Sequence, residues 1–381
     1  MIRWLLPFAL VACSSPSKGV TSADGGDPDS AQLGDAGSLG DAPVHTRELA
    51  FAANYVAGIS GFEIQPDGQL VAMQPAAFEP ARHFFGVAVH PSLPVLYAAE
   101  YTGHAIDAFR IDPHTGALAL IGEPVAIAHA AIAIAVDPLG RFVYVGDFDE
   151  VELTHMSLQV FAIGADGGLA AQPSFTLPRT NAVDAIAAAP SGTTVYTTDA
   201  AGGIRAYTVA DGGALSEPTD SPFAAQTVTG GWMTFHPTKD ILYTARTTLQ
   251  AFAAETSGTL AAVEGSPFGA GANADPGEMA LAIDPRGRFA CVVDMPAGTV
   301  TVHALNGDGA MAMPGTTYDA GTFAYSVAID LDGRYVYVAT DFGSVAAFAV
   351  DPDTLALTPL AGSPMISAAG NAPQLIVVRG V

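Results

Sequence analysis

Residues 134–147 read IAVDPLGRFVYVGD: an apolar run, a turn built on Asp137, Pro138 and Gly140, and a second apolar run that carries Tyr144 and ends on Asp147. Proline and glycine this close together between two strand-like runs predict a tight β-hairpin. The phrase returns as VAVHPSLPVLYAAE (87–100), IAAAPSGTTVYTTD (186–199), MTFHPTKDILYTAR (233–246), LAIDPRGRFACVVD (281–294) and VAIDLDGRYVYVAT (327–340). With the proline as marker the copies stand at Pro91, Pro138, Pro190, Pro237 and Pro285, with Leu331 in the sixth, spaced 47, 52, 47, 48 and 46 residues apart. A third run follows each hairpin, as in LQVFAIGADGG (158–168) and SVAAFAVDPDT (344–354), and then a short fourth, as in GALALIG (116–122) and LALTPLAG (355–362). Four antiparallel strands repeated at this period predict an all-β propeller.

Six copies predict six blades, and the two ends of the repeat region supply a seventh. The stretch 48–74 (ELAFAANYVAGISGFEIQPDGQLVAMQ) holds a second, third and fourth strand without a first, and 372–381 (APQLIVVRGV) holds a first strand without the rest. Pairing the N- and C-terminal strands in one blade closes the ring and removes exposed sheet edges.

The 381 residues would also allow two or three domains, but composition agrees with the repeat. Half of the residues are hydrophobic, 14% are charged, and 41 Gly and 27 Pro punctuate them, which suits short buried strands and tight turns. The formal charge is −24, and only Lys18 and Lys239 are lysines. No basic surface exists to displace counterions from phosphates, so nucleic acid is excluded as a partner.

Arg3 and the apolar run Trp4–Ala12 have the form of a secretory signal, too short to span a bilayer. The run ends in Leu10-Val11-Ala12-Cys13, which resembles the bacterial lipobox. That resemblance implies removal of residues 1–12, an acyl anchor on Cys13 and, with Ser14 next, the outer membrane. The only other cysteine is Cys291, so no intrachain disulfide forms once Cys13 is lipidated. Residues 13–46 are Asp, Gly, Ser and Ala with almost no large apolar side chain, a disordered tether with a reach on the order of 30 Å. Asp24, Asp27 and Asp29 within it lack the ordered spacing and closing Glu of an EF-hand loop. The propeller is expected over 47–381.

Strand direction sorts the polar residues onto two faces. The marker turns lie on one, with His90 and His236 directly before their prolines as turn residues. The starts of the first strands and the ends of the second lie on the other. Nine residues after each marker come Glu100, Asp147, Asp199, Arg246, Asp294 and Thr340, with Asn54 in the composite blade. Such a ring of polar groups is either a ligand site or a set of residues each hydrogen-bonding within its own blade. Crowded carboxylates also suit a divalent cation such as calcium. The first strands begin with Arg82, His83, His129, Asp184, Trp232 and Glu278 on the same face. His83 and His129 suit acid–base work near neutral pH, and Arg82 or Arg246 suits a carboxylate or phosphate. Cys291 stands six after its marker, where other copies have Tyr97, Tyr144, Tyr196, Tyr243 and Tyr337; a buried thiol in place of a ring accounts for it.

The blades reading VDPLGRFVYVGD (136–147), IDPRGRFACVVD (283–294) and IDLDGRYVYVAT (329–340) resemble those of the bacterial lactonase-family seven-bladed propellers, which include 6-phosphogluconolactonase and carboxymuconate cyclase relatives. The resemblance runs from about Glu48 to the end and implies hydrolysis of a sugar or organic-acid lactone, a carboxylic-ester hydrolase reaction. Residues 128–150 (AHAAIAIAVDPLGRFVYVGDFDE) are similar to the family stretch that opens on a His and closes on acids, which implies His129, Asp147 and Asp149 as site residues, with His83 and Arg82 beside them. Glu100, Asp199, Arg246, Glu278 and Asp294 are the expected ligand-binding groups. Gly230-Gly231-Trp232 and Asp294-Met295 replace basic residues of the phosphogluconolactonase-like members, which argues against a phosphorylated substrate.

Three readings of function stand: a lactone hydrolase that needs no cofactor, a non-catalytic propeller that binds a small molecule or an envelope protein, or a propeller whose carboxylate ring holds a divalent cation such as calcium. Each acts as a monomer held to the membrane through Cys13.

Overall fold

Where an Asp or His precedes the marker proline, its side chain folds back on its own turn. Asp137 accepts the backbone N–H groups of Leu139 and Arg141 at 3.3 and 3.2 Å, and His90 Nδ1 accepts those of Ser92 and Leu93 at 3.1 and 2.8 Å. These short local bonds hold the turn of the hairpin. They are seen in a computed structural model that describes residues 47–54, 57–75, 77–79, 81–149, 156–172, 175–176, 183–199, 203–221, 223, 231–245, 248–268, 279–340, 343–366 and 374–379. The expected signal, the tether and Cys13 lie outside the described residues.

The hairpins build seven antiparallel sheets of four strands, the expected seven-bladed all-β propeller. Blade 3 is representative: inner strand Ala130–Val136, second strand Phe142–Phe148, third Met156–Ile163, outer Leu169–Ala171. Blades 2, 3 and 7 carry one further two-residue strand, Val125–Ala126, Phe175–Thr176 and Met365–Ile366, that continues the outer edge beyond a turn. In blade 1, Gln374–Arg379 is the inner strand beside Glu48–Asn54, in register from Glu48 opposite Arg379 to Ala53 opposite Gln374. Where inner strands converge, side chains must be small. Ala130, Ala131, Ala133 and Ala135 of blade 3 are all fully buried.

Neighbouring blades are joined by two belts of hydrogen bonds. The tyrosine six residues after the marker donates its hydroxyl to the carbonyl of the glycine that turns the third strand into the fourth in the next blade. The pairs are Tyr97 to Gly167 (3.0 Å), Tyr196 to Gly258 (3.0 Å), Tyr243 to Gly309 (2.7 Å) and, across the ring closure, Tyr337 to Gly68 (2.9 Å). Those glycines have φ of +82 to +88° in blades 1, 3, 4, 5 and 6, a conformation that lets the backbone approach the ring closely. The second belt runs on the marker face. His90 Nε2 donates to Gly140 O at 3.2 Å, since its Nδ1 is already an acceptor, and Arg288, held by Asp284 at 2.8 Å, donates to Gly333 O at 2.7 Å. Arg141, bound to Asp137, reaches Gly192 O in the same way.

Cys291 interrupts the first belt and blade 7 answers it. The turn of blade 7 places Leu355, at φ +60°, where the others place glycine, and its side chain packs on the core cluster that contains Cys291. The thiol is fully buried and burial pushes its pKa far above the ordinary thiol value, so it is core.

Tyr144 is the belt member whose buried hydroxyl has no hydrogen-bond partner. Tyr243→Phe is therefore expected to lower unfolding free energy by about 1 kcal/mol and to strand the Gly309 carbonyl, whereas Tyr144→Phe leaves stability unchanged or raises it. Chemical denaturation of the two variants in parallel checks this; equal losses would show that the hydroxyl bonds do not join the blades.

Candidate functional site

The face opposite the marker turns is shaped by breaks in the inner strands. Register shifts by one residue between Phe84 and Gly86, between Val183 and Ala185, and between Ala324 and Ser326, each near the start of an inner strand. In blade 3 a shift falls at Gly146/Asp147. Bulges of this kind re-aim side chains and are common beside sites.

Among the described residues, blade 2 carries a compact cluster of charge on this face. Arg82 precedes the inner strand Phe84–Val89. Its Nη1 donates to Asp107 Oδ1 at 2.8 Å, and its Nη2 lies 2.7 Å from Asp107 Oδ2 and also bonds Glu100. Phe84 lies under the guanidinium, 5.3 Å from ring centroid to Cζ. Burial opposes the charge of Arg82, but its bonds to Glu100 and Asp107 outweigh burial and raise its pKa above the ordinary arginine value. Burial pushes Asp107 up to about 6 against the pull of Arg82. Glu100, at the end of the second strand Val95–Glu100, and Asp107, in the third strand Ala105–Ile111, are both buried. His83 is half-buried beside this group, and its carbonyl accepts the N–H of Tyr101 at 2.8 Å. Tyr101 stacks on Phe85 at 5.9 Å.

In blade 3, Asp147 is fully buried and held by three donors: Ser157 N–H at 2.7 Å, Ser157 Oγ at 2.8 Å and Gln159 Nε2 at 2.6 Å. Asp149, just beyond the strand, is buried, and His129, just before the inner strand, is half-buried. Asn54 of blade 1 donates to Ser60 Oγ at 3.1 Å and to the carbonyls of Ala52 and Gly58. Thr340 of blade 7 bonds Ser344, and Asp294 of blade 6, half-buried, accepts Ala297 N–H at 3.0 Å.

The ring thus follows a rule that its own spacing does not reveal. Its members in blades 1, 2, 3 and 7 are answered by polar side chains at the start of the third strand: Ser60, Asp107 through Arg82, Ser157 with Gln159, and Ser344. Asp107, Ser157 and Gln159 escape a search confined to the hairpin phrase. The signal that finds them is a polar residue on the third strand opposite an otherwise apolar second strand: Asp107 faces Ala98, and Gln159 faces Val145.

Of the other expected residues, Arg246 and Glu278 lie outside the described residues, and of Asp199 only the backbone is described, paired with Val183. Asp184 and Trp232 are buried at the starts of their inner strands. Among the described residues no three His, Cys, Asp or Glu side chains gather as a metal would require. An open cleft of about 540 Å³ between blades 5 and 6, lined by Glu264, Phe268, Asp308, Met311 and Met313, contains none of the residues singled out by sequence.

On this face His83 and His129 are half-buried, while Asp147 and Arg82 are held by hydrogen bonds from within the fold.

Among solved structures, the periplasmic gluconolactonase of Pseudomonas aeruginosa is 19% identical, with a TM-score of 0.72 over 88% of this chain and 99% of that one. Putative 6-phosphogluconolactonases of Bacteroides uniformis (17% identity, TM-score 0.72, 87% and 99% covered) and Bacteroides fragilis (16%, 0.73, 89% and 100%) share the same fold. No curated protein matches the chain. The family model "Lactonase, 7-bladed beta-propeller" matches residues 50–372. The chain belongs to that family of seven-bladed lactonase propellers.

Proposed function

We propose that the protein hydrolyses an unphosphorylated sugar or organic-acid lactone on the face where the inner strands begin. Membership of the lactonase family over 50–372 carries this reading. In the proposed reaction a water oxygen attacks the lactone carbonyl carbon while His129 or His83 takes its proton. Collapse of the tetrahedral intermediate breaks the ring C–O bond, and the same imidazolium protonates the leaving alkoxide, so the enzyme returns to its starting state. A remaining N–H of Arg82 is suited to steady the oxyanion. Asp147, with Ser157 and Gln159 on its oxygens, serves to hold the wall of the site, and Asp149, Glu100, Asp199, Arg246, Glu278 and Asp294 are the groups that would meet the ligand.

Arg82 favours a neutral substrate. Two carboxylates already hold its guanidinium, so a phosphate would meet Glu100 and Asp107 as well as the cation. Purified protein is expected to turn over glucono-1,5-lactone with higher kcat/KM than its 6-phosphate. His83→Asn and His129→Asn are to be compared, and the one that carries the base loses about 10²- to 10⁴-fold in kcat at unchanged Tm. Wild-type rates in both variants would end this mechanism.

One observation favours a non-catalytic binding propeller instead: Asp147 and Arg82 find their partners within the fold. Absence of turnover with retained lactone binding would support it. In either case the lipobox-like residues 10–13 support a place at the cell envelope through lipid on Cys13.

A further inference from the structure

Phe323 is the residue immediately before the inner strand of blade 7, Ala324–Ile329. It stands eight residues before the marker position Leu331, as His83 stands eight before Pro91, and both precede a bulged strand on the same face. The two are therefore equivalent positions in blades 7 and 2, on either side of blade 1. His83 carries an imidazole there, and Phe323 carries an unsubstituted ring.

Two features set Phe323 apart from an ordinary surface residue. The residue is 47% exposed, the largest exposure of any Phe, Tyr or Trp among the described residues. Its φ is +51°, in the left-handed region that a bulky residue seldom adopts. Neither burial nor local propensity rewards a phenylalanine in such a place, and strained backbone of this kind gathers at ligand clamps.

The segment that presents the ring is fixed. Asp319 pairs with Thr299 and accepts Gly321 N–H at 2.9 Å, Ala320 N–H donates to Gly298 O at 2.9 Å, and Ala324 pairs with Thr340. The backbone that carries the ring is thus ordered before a ligand arrives, so little backbone ordering is left for binding to oppose.

We infer that Phe323 is a specificity residue, a stacking platform for the C–H-rich face of a neutral cyclic ligand. This deepens the lactonase reading and rests on it for the identity of the ligand. An aromatic ring attracts such a face and gives a phosphate nothing.

The test uses the full chain carrying Trp4→Phe, so that Trp232, buried at the start of the inner strand of blade 5 on the same face, reports alone. Binding of glucono-1,5-lactone is followed by Trp232 fluorescence, and its turnover by acid release. Phe323→Asn removes the ring and suits a positive φ. It is expected to raise KM and the fluorescence Kd about five- to tenfold, to leave kcat within twofold, and to leave Tm unchanged or higher. Phe323→Tyr keeps the platform and is expected to behave as the parent.

If the Asn variant binds within twofold of the parent, or loses Tm and kcat together, the platform is refuted whatever becomes of catalysis. If the parent binds without turnover and Phe323→Asn weakens binding, the platform stands and the hydrolase reading falls. If the parent neither binds nor turns over the lactone, both fall.

Discussion

Arg82→Met is expected to destabilise the propeller by about 3–5 kcal/mol, among the largest effects of any single side-chain exchange in this chain. The methionine fills much of the space, but it leaves Glu100 and Asp107, both buried, facing each other without a cation. Adding Asp107→Asn should recover most of the loss, because it removes the second buried charge. The effect also has a pH signature. Asp107 has a folded pKa of about 6 against roughly 3.9 unfolded, so the folded state holds the proton more tightly. The favourable contribution of that proton is complete below about pH 4 and is lost as pH rises through 6. Without the pull of Arg82 the folded value climbs further, and the gap between variant and parent widens from pH 5 to pH 8. Urea unfolding at those two pH values measures it. A loss below about 1 kcal/mol at pH 8 would mean that the three groups are solvated like a surface pair.

Gly298→Ala is expected to cost about 3 kcal/mol or more and to impair the candidate face as well. Gly298 sits at φ +66°, and a Cβ there would overlap the carbonyl oxygen of Gly321, which is backbone and cannot swing aside. The displaced segment is the one that carries Phe323, so KM for a lactone should rise together with the fall in Tm. Gly212→Ala is the control: nothing lies within 4 Å of a Cβ at that position, and stability should change by less than about 0.5 kcal/mol. Thermal melts and lactone kinetics on both variants separate close backbone approach from general intolerance of side chains. An unchanged Tm for Gly298→Ala would show that the Gly321 carbonyl yields cheaply.

The scaffold was legible in the sequence because each repeat writes its turn locally. Asp137, Pro138 and Gly140 specify a hairpin within four residues, and a period of 46 to 52 residues multiplies it. The composite blade was legible for the same reason, since the strand types missing at one end are present at the other. The ring of polar residues was legible as a ring but not as a hydrogen-bonded set. The partners of Asp147 come from the third strand, ten and twelve residues away, and no periodic phrase marks them. Arg82 illustrates the same limit. Sequence shows a cation at the start of a strand, while its chemistry is decided by Asp107, 25 residues on and fully buried. Phe323 carries no titratable group to mark it in the sequence, although it stands eight residues before Leu331, as His83 stands eight before Pro91.

The tyrosine belt bears on how such a chain changes over generations. Each of the four tyrosine joints takes its donor from one blade and its acceptor from the next, so a copied blade that carries both the tyrosine and the glycine brings two half-joints. Replacement within a joint is harder, for a ring and the glycine it meets have to shift together. Cys291 and Leu355, 64 residues apart, stand at the two positions where blades 6 and 7 would form such a joint, a thiol in place of the ring and a leucine in place of the glycine. Related chains should therefore vary these two positions as a pair, and a tyrosine restored at 291 should be tolerated only beside glycine at 355.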